Sequence, residues 1–249
     1  MGLELHAPVF FPSSVIILIF VMAAIVAPAQ ADLLFSHTMT WTIEHFDWLF
    51  SFTADVVIVF CLLLIVLPLG RIRLGGEGAR AEYSVLSWFA MLFACAMGIG
   101  LMYWSVAEPM SHYLGFDGTP LGIAPATPEA AKLAMGSTLY HWGFHPWAMY
   151  GLVALALGFF AFNRGLPLTL RSAFYPLLGK RIWGGPGDII DSTAVIATVF
   201  GLATSLGFGA RQISAGLNFL FGTPDTIPVQ LGIIVGITVL VIMSMILGI

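Results

Sequence analysis

Six long apolar stretches constrain this chain more than any other feature of its sequence. Each meets the roughly 20 mostly apolar residues that a helix needs to cross a bilayer core. The stretches cover residues 9–29, 47–70, 84–107, 136–162, 190–221 and 228–249. Because 59% of the residues are hydrophobic and only 9% are charged, the apolar surface exceeds what one water-soluble core can hold. We therefore predict an all-α integral membrane protein with six transmembrane helices.

The basic residues indicate the orientation of these helices. They follow the second and fourth stretches, as Arg71, Arg73, Arg80, Arg164, Arg171, Lys180 and Arg181. The segments on the other side are also predicted loops, and Lys132 is their only basic residue. They cover residues 30–46, 108–135 and 222–227. Since short cytoplasmic loops carry an excess of Lys and Arg, both termini are predicted on the cytoplasmic side of a bacterial-type inner (plasma) membrane.

Two connecting segments carry structural predictions of their own. Residues 165–181 are apolar but too short and too rich in proline to span, so we predict a helix at the inner interface with its basic residues toward the headgroups. Residues 111–135 are rich in Gly and Pro, which predicts irregular structure. The N-terminal leader has no basic residue, so the first stretch is interpreted as a retained span rather than a cleaved signal peptide.

Several functional classes lack support in the sequence. The formal charge of −4 and the absence of a basic run exclude a nucleic-acid partner. Cys61 and Cys95 both lie within apolar stretches, where we interpret them as buried thiols. No nucleophile with a base, no phosphate-binding glycine loop and no cysteine metal cluster is present. We therefore predict no catalytic residues, no resident metal and no cofactor.

The third stretch contains the motif AMGIG, in which Gly98 and Gly100 interrupt an otherwise apolar helix. Backbone groups released from a helix at membrane depth persist where they line a cavity or bind an ion. Small residues also allow two helices to pack closely. The pattern alone leaves both interpretations open and favours packing. At the end of this stretch, Glu108 and Pro109 predict the helix terminus, with the carboxylate in water.

The fourth stretch contains YHWGFHPWAMY, residues 140–150. In a continuous helix Trp142, Trp147 and Tyr150 would share one arc of roughly 140°. Such rings could bind a quaternary ammonium or sulfonium group, which donates no conventional hydrogen bond, through cation–π attraction. An aromatic belt at headgroup depth is the equally weighted alternative. Pro146 should kink the helix and release a carbonyl near these rings.

Other polar residues within the stretches have less specific interpretations. The i, i+4 spacing of His141 and His145 could hold a metal, although packing is the favoured interpretation because no third ligand is near. The remaining candidates are Asp55, Thr198, Thr204, Ser205 and Arg211. We interpret Thr204 and Ser205 as possible contacts for an ion or water, against ordinary bonding between helices.

Three long blocks of the sequence resemble the betaine/choline/carnitine transporter family. They begin at LGGEGARAEYSVLSWFAMLFACAMGIG, at YHWGFHPWAMYGLVALALGFFAFNRG and at GDIIDSTAVIATVFGLATSLGFGARQ. The resemblance implies a secondary transporter with two leading helices and two inverted five-helix repeats, a LeuT-like fold. This chain would then consist of the leading helices and linker, 1–80, and four helices of the first repeat, 81–249.

The resemblance also assigns residues to sites. It implies an unwound stretch at 96–100, which favours the site interpretation of AMGIG, although Ala96 replaces the family's first glycine. Met97, Gly98 and Gly100 would contact substrate together with Trp142, Trp147 and Tyr150. The carbonyls of Ala94 and Met97 would face a coupling sodium ion, and Thr204 and Ser205 are further candidates for it. A glycine at position 100, where choline-selective members tend to have an acidic residue, implies a zwitterion such as glycine betaine.

Family members are about twice as long as this chain. We expect a half or fragment of an osmolyte transporter that needs another membrane polypeptide, such as a second half or further copies, in addition to lipid and a small zwitterionic substrate. The alternative is a truncated, transporter-like protein that serves as a structural or accessory subunit of a larger membrane complex.

Overall fold

The structure of the chain, a computed structural model, is helical in the residues that it describes. These are residues 5–96, 98–116 and 118–247, and no β-strand occurs among them. The chain divides into two compact units, each made of two separate parts of the sequence. The first unit comprises residues 1–80 and 139–198, and the second comprises residues 81–138 and 199–249.

The first unit opens with two helices joined by a single residue. α1 covers Ala7–Val26, and α2 covers Pro28–Val66 after a sharp turn at Ala27. The rings of Phe20 and Phe35 stack across this turn with their centroids 4.5 Å apart. Pro28 is suited to the first position of α2 because the amide that proline lacks would have no helical partner there.

The predicted loop at 30–46 is wrong, because these residues are helical and α2 runs through 39 residues without interruption. No glycine or proline occurs between residues 29 and 66, so nothing in the sequence stops the helix. Its hydroxyl side chains bond back to the helix, as Thr38 does to the carbonyl of Leu34 at 2.7 Å. At a rise of 1.5 Å per residue, α2 is about 58 Å long and exceeds the thickness of a bilayer core.

The second part of the first unit contains several short helices. α6 covers Phe144–Gly158 and continues into a π-helical turn at Phe159–Asn163. Two four-residue helices follow, α7 at Leu170–Ala173 and α8 at Tyr175–Leu178, and then a 3₁₀ turn at Gly179–Trp183. The prediction of one helix over 165–181 is therefore wrong. Proline and glycine divide the segment into single helical turns.

The second unit contains the interrupted third stretch. α3 covers Val85–Ala96 and α4 covers Ile99–Leu114. A 3₁₀ turn at Pro120–Gly122 precedes α5, which covers Pro128–His141 and whose last three residues belong to the first unit. α9, at Gly185–Phe221, begins in the first unit and continues into the second, where α10 follows at Ile227–Leu247.

Pro109 does not end the helix, in contrast to the prediction. α4 continues through Pro109 to Leu114, as proline-containing helices do in membranes where neighbouring groups satisfy the freed backbone. Glu108 is buried, with 7% of its surface exposed, rather than solvated. Its Oε1 lies 3.7 Å from Nε2 of His112, one helical turn away. Residues 111–114 and 128–135 are helical, so among the described residues the irregular segment is shorter than the predicted 111–135.

A polar cluster links α9 to α10 in the second unit. The buried Ser214 hydroxyl donates a 2.6 Å hydrogen bond to Oδ1 of Asp225, and the Gln230 amide donates to the same atom at 3.0 Å. These bonds, together with the charge of Arg211, hold the pKa of the Asp225 carboxyl below its usual range. The cluster therefore fixes the turn between the two helices.

The number of predicted spans was six, whereas five helical segments in the described part of the chain are long and apolar enough to cross a membrane. They are Ala7–Val26, Pro28–Val66, Pro128–Asn163, Gly185–Phe221 and Ile227–Leu247. The predicted third span is divided between α3 and α4, and its apolar part, Val85–Ala94, is shorter. The architecture is that of an all-helical membrane protein.

Candidate functional site

The break after α3 is the first candidate site and lies in the second unit. α3 ends at Ala96 and α4 begins at Ile99. Gly98, between them, has extended backbone angles of φ −70° and ψ 177°. Its carbonyl accepts a 3.2 Å hydrogen bond from the Met102 amide, which starts the new helix. The helical ladder is therefore interrupted within the AMGIG motif.

The unwound stretch is shorter than the predicted 96–100. Ala96 still belongs to α3, whereas Ile99 and Gly100 form the first turn of α4. Met97, a predicted contact for both substrate and ion, lies outside the described residues. Alanine has the highest helix propensity of all residues, which explains why the helix persists through the position where the family has glycine.

Two kinds of backbone group meet at this break. Ala94, a predicted sodium ligand, lies in the last turn of α3, where carbonyls lack intrahelical partners. Ile99 and Gly100 lie at the amino end of α4, where amides lack partners and the helix dipole is positive. The cap residue Gly98 has no side chain to bond these amides. Such a break can offer oxygen ligands to a cation and amide donors to a carboxylate.

The two hydroxyl residues predicted to contact an ion lie in the part of α9 that belongs to the second unit. Thr204 donates a 3.0 Å hydrogen bond to the Phe200 carbonyl of its own helix, which leaves its oxygen lone pairs available. It lines a cavity of about 300 Å³ that Arg211 and Gln230 also line. Ser205 is exposed. Thr204 therefore keeps the ability to coordinate a cation.

An aromatic cluster in the second unit was not singled out from the sequence. The Tyr103 and Phe208 rings stack with centroids 5.0 Å apart, and the Trp104 ring meets Phe208 edge-on at 5.5 Å. Adjacent Tyr and Trp residues shortly after Gly100 were the available signal. Their partner Phe208 could not be predicted, because residue spacing within one helix does not indicate contacts with another helix.

The second candidate site is the aromatic segment of the first unit, where a second break occurs. α5 ends at His141 and α6 begins at Phe144. A Cβ added to Gly143 would lie 2.7 Å from the Leu139 carbonyl oxygen, so only glycine fits without a shift. The predicted kink is thus a complete break that begins four residues before Pro146. This position is expected, because proline excludes the carbonyl four residues earlier from the helical ladder.

That carbonyl belongs to Trp142, and the structure shows what satisfies it. The indole Nε1 of Trp147 donates a 3.1 Å hydrogen bond to the Trp142 carbonyl. The Trp147 ring also lies 5.8 Å from the Tyr150 ring, at an interplanar angle of 41°. Trp147 is 46% exposed and Tyr150 is 71% exposed. Both rings are therefore partly exposed, and their separation would allow one cation to lie within about 6 Å of both centroids.

The predicted arc of three aromatic residues assumed one continuous helix and is wrong for Trp142. This residue precedes the break, and its ring contacts the His141 ring at 5.5 Å. Trp147 and Tyr150, three residues apart within α6, do share a face. The structure therefore brings two of the three predicted rings together and joins the third residue to them through its backbone carbonyl.

The two histidines of this segment are also separated by the break. His145 Nε2 lies 3.2 Å from Oδ1 of Asp55 on α2, and its ring packs on Tyr140 at 4.2 Å. No group of three potential metal ligands occurs among the described residues. His145 and Asp55 thus join α6 to α2.

A buried ionic cluster at the other end of the first unit was missed by sequence reasoning. Arg171 is only 5% exposed, contrary to the prediction that the basic residues of this segment face headgroups. Its Nε donates to Asp191 at 2.5 Å and its Nη2 donates to Asp188 at 3.0 Å. His6 lies 2.8 Å from the same Asp188 oxygen. Buried charge requires such pairing, and the pairing ties α7 and the N-terminal segment to the start of α9.

The chain matches proteins of one transporter family. Residues 8–249 match the model of the betaine/carnitine/choline family transporters, BCCT. The whole chain is 51% identical to glycine betaine transporter 1 of Vibrio parahaemolyticus, of which it covers 48%. A glycine betaine transporter of Acinetobacter baylyi is 41% identical over 98% of the chain and is 36% covered. The high-affinity choline transport protein of Escherichia coli is 41% identical over 93% of the chain and is 34% covered.

The chain thus spans about half the length, or less, of these relatives. The family consists of transporters and not of enzymes, which agrees with the prediction from the sequence. Together with the long apolar helices, the match identifies a multi-pass protein of the bacterial inner membrane. The chain belongs to the betaine/carnitine/choline transporter family.

Proposed function

We propose that this chain provides part of the substrate and ion sites of a secondary transporter for a quaternary-ammonium or sulfonium osmolyte. Glycine betaine is the substrate that we favour. The observation that carries the proposal is the pair of accessible rings, Trp147 and Tyr150, 5.8 Å apart. A trimethylammonium group is attracted to ring faces and cannot donate a hydrogen bond. Trp142, whose carbonyl positions the Trp147 indole, is the third proposed contributor.

Glycine at position 100 supports a zwitterion rather than choline. A substrate with its own carboxylate needs no acidic residue from the protein to balance its ammonium group. The amino end of α4, which includes Gly100, is suited to a carboxylate because of its free amides and its dipole. Gly98, Gly100 and Met97 are therefore proposed as substrate contacts.

Sodium is the coupling ion that we propose. Backbone carbonyls at the end of a broken helix and hydroxyl oxygens are ligands that suit it. Ala94 lies at such an end, and Met97 follows it in the sequence. Thr204, which has oxygen lone pairs available, and Ser205 are the proposed hydroxyl ligands.

Further parts of the site are proposed to come from additional polypeptide, because the relatives are more than twice the length of this chain. This part is either continuous with the chain, a separate second half or further copies. This chain would supply the two leading helices and four helices of the first inverted repeat of a LeuT-like fold, and the additional polypeptide would supply the rest. We place both termini in the cytoplasm, in agreement with the basic residues after α2 and α6.

The test is a chimera in which this chain replaces the matching half of the Vibrio parahaemolyticus glycine betaine transporter 1. Cells without other betaine uptake would express the chimera, and labelled glycine betaine uptake would be measured with and without sodium. We expect sodium-dependent uptake. A chimera that reaches the membrane in normal amounts and transports neither betaine nor choline would contradict the proposal and favour an accessory subunit.

A matched pair of variants tests the aromatic residues. Trp147→Ala should reduce betaine affinity by about 30-fold, because a desolvated cation–π contact contributes roughly 2 kcal/mol. Trp183→Ala removes another exposed tryptophan of the first unit and should leave uptake unchanged. Equal affinity in both variants would show that the ring of Trp147 does not bind the ammonium group.

A further inference from the structure

An apolar cavity in the first unit lies apart from the candidate sites. Its volume is about 520 Å³, within the range of about 300–1,000 Å³ that small-molecule sites occupy. One wall is the end of α2, with Phe60 and Leu64, and the opposite wall is α6 and the π turn, with Ala156 and Phe160. Carbon side chains and one glycine line the whole cavity, so a hydrocarbon chain is the natural occupant.

The third wall is the segment 69–74, LGRIRL, in which cavity-lining residues alternate with arginines. Ile72 and Leu74 line the cavity, whereas Arg71 and Arg73 are exposed and do not. Gly70 holds this segment against α2, since a Cβ there would lie 1.9 Å from the Leu64 carbonyl oxygen. The alternation therefore places two cations at the rim of an apolar cavity.

A third cation reaches the same rim from a distant part of the sequence. Asn163 donates to the Arg73 carbonyl at 2.9 Å and accepts from the Gly75 amide at 2.9 Å. The next residue, Arg164, holds its guanidinium 5.6 Å from the ring centroid of Phe159, which lines the cavity. The side chain of Asn163 thus fixes the two arginine-bearing segments beside one another.

The charge at this rim is strongly positive. Arg71, Arg73 and Arg164 are the three cations at the rim, and residues 75–80 add one carboxylate, Glu77, and one further arginine, Arg80. Arg73 donates to the Glu77 carbonyl at 3.3 Å, and within the described residues the Arg71 side chain has no ion-pair or hydrogen-bond partner. The rim therefore suits an anionic group bearing several oxygens, for which arginine is the preferred partner.

We propose that this cavity binds an anionic phospholipid, with an acyl chain between α2 and α6 and the phosphate at Arg71, Arg73 and Arg164. Charge complementarity selects this occupant over a neutral lipid, because each basic residue near an anionic headgroup strengthens binding by about fivefold. The apolar walls select a lipid over free phosphate. The site is independent of the proposed substrate and ion contacts.

Native mass spectrometry of the delipidated full chain, titrated with phosphatidylglycerol or phosphatidylcholine of identical acyl chains, tests the proposal. Phosphatidylglycerol should bind at least tenfold more tightly. The double variant Arg71→Gln, Arg73→Gln should weaken its binding by about 25-fold. Arg181→Gln, which removes an exposed arginine elsewhere in the same unit, should have no effect. Equal affinity for the two lipids, or an unchanged affinity in the double variant, would overturn the proposal.

The apolar part of the site has its own test. Ala156→Phe fills the cavity and should abolish tight binding, whereas Ala154→Phe places the same ring on an exposed position of α6 outside the cavity. Glycerol phosphate should not displace the bound lipid. Displacement by glycerol phosphate, or a dimer of the chain that excludes lipid from the wild-type protein, would overturn the proposal even if Ala156→Phe failed to fold.

Discussion

The two helix breaks of this protein differ in what happens to the backbone groups that each break releases. At the second break, which separates α5 from α6, the Trp142 carbonyl freed by Pro146 accepts a hydrogen bond from the Trp147 indole. At the first break, which separates α3 from α4, the cap residue Gly98 has no side chain that could bond the first amides of α4. The carbonyl released at the second break is thus satisfied by a described side chain, whereas no such bond is seen at the first break among the described residues.

This difference assigns the breaks different roles. A break whose released carbonyl is hydrogen-bonded should be rigid, because loss of that hydrogen bond would leave the carbonyl without a partner. Its effect is to fix the Trp147 ring beside Tyr150. A break without such a bond can instead offer its backbone groups to an ion or a carboxylate. We therefore expect the second break to respond to changes in packing and the first to respond to ligands.

Among substitutions at the two breaks, Gly143→Ala should have the largest effect on stability. The added Cβ would lie 2.7 Å from the Leu139 carbonyl oxygen, so the backbone must shift, at a loss of about 2–3 kcal/mol in the free energy of unfolding. Gly151→Ala is the control, since a Cβ at Gly151 on the same helix meets nothing within 4 Å. Thermal melting in detergent, followed by circular dichroism, compares the two. Equal melting temperatures would show that the second break is not tightly packed.

A smaller loss is expected for Trp147→Phe. This change keeps an aromatic ring but removes the indole donor, which leaves the Trp142 carbonyl unsatisfied and lowers the free energy of unfolding by about 1–2 kcal/mol. Trp183→Phe removes an exposed indole outside the break and should change the melting temperature little. If Trp147→Phe melts like the wild-type protein, the hydrogen bond does not stabilise the break.

Gly98→Ala should have the smallest effect on stability. A φ of −70° with ψ of 177° is open to any residue, and alanine restricts the unfolded chain, so the free energy of unfolding should stay constant or rise by up to about 1 kcal/mol. The same melting assay applies. A loss as large as that of Gly143→Ala would indicate that the first break is packed like the second.

The local features of both breaks could be predicted from the sequence. Gly98 and Gly100 indicated an interruption, and the spacing of Pro146 from Trp142 predicted a released carbonyl near the aromatic residues. The residues at which the helices begin and end were less predictable. Ala96 continued the helix that the family pattern would unwind, and α2 continued through 30–46 because polarity alone does not end a helix that lacks glycine and proline.

Contacts between distant residues could not be predicted. Arg171 resembled an interfacial cation in sequence, but its partners Asp188 and Asp191 lie 17 and 20 residues away, and spacing does not reveal such pairs. The Asp55–His145 contact and the stacking of Tyr103 on Phe208 likewise join residues that are far apart in the sequence. These contacts depend on how helices pack, which hydrophobic periodicity specifies only weakly in a chain that is apolar on most faces.

Hydrogen–deuterium exchange of the betaine-transporting chimera tests the contrast between the two breaks most directly. Exchange would be measured with and without sodium and glycine betaine, for peptides covering 96–102 and 139–146. The account predicts slower exchange in 96–102 when both ligands are present, because the first amides of α4 acquire partners, and no change in 139–146. Slower exchange confined to 139–146, or none in 96–102 at saturating ligand, would contradict it.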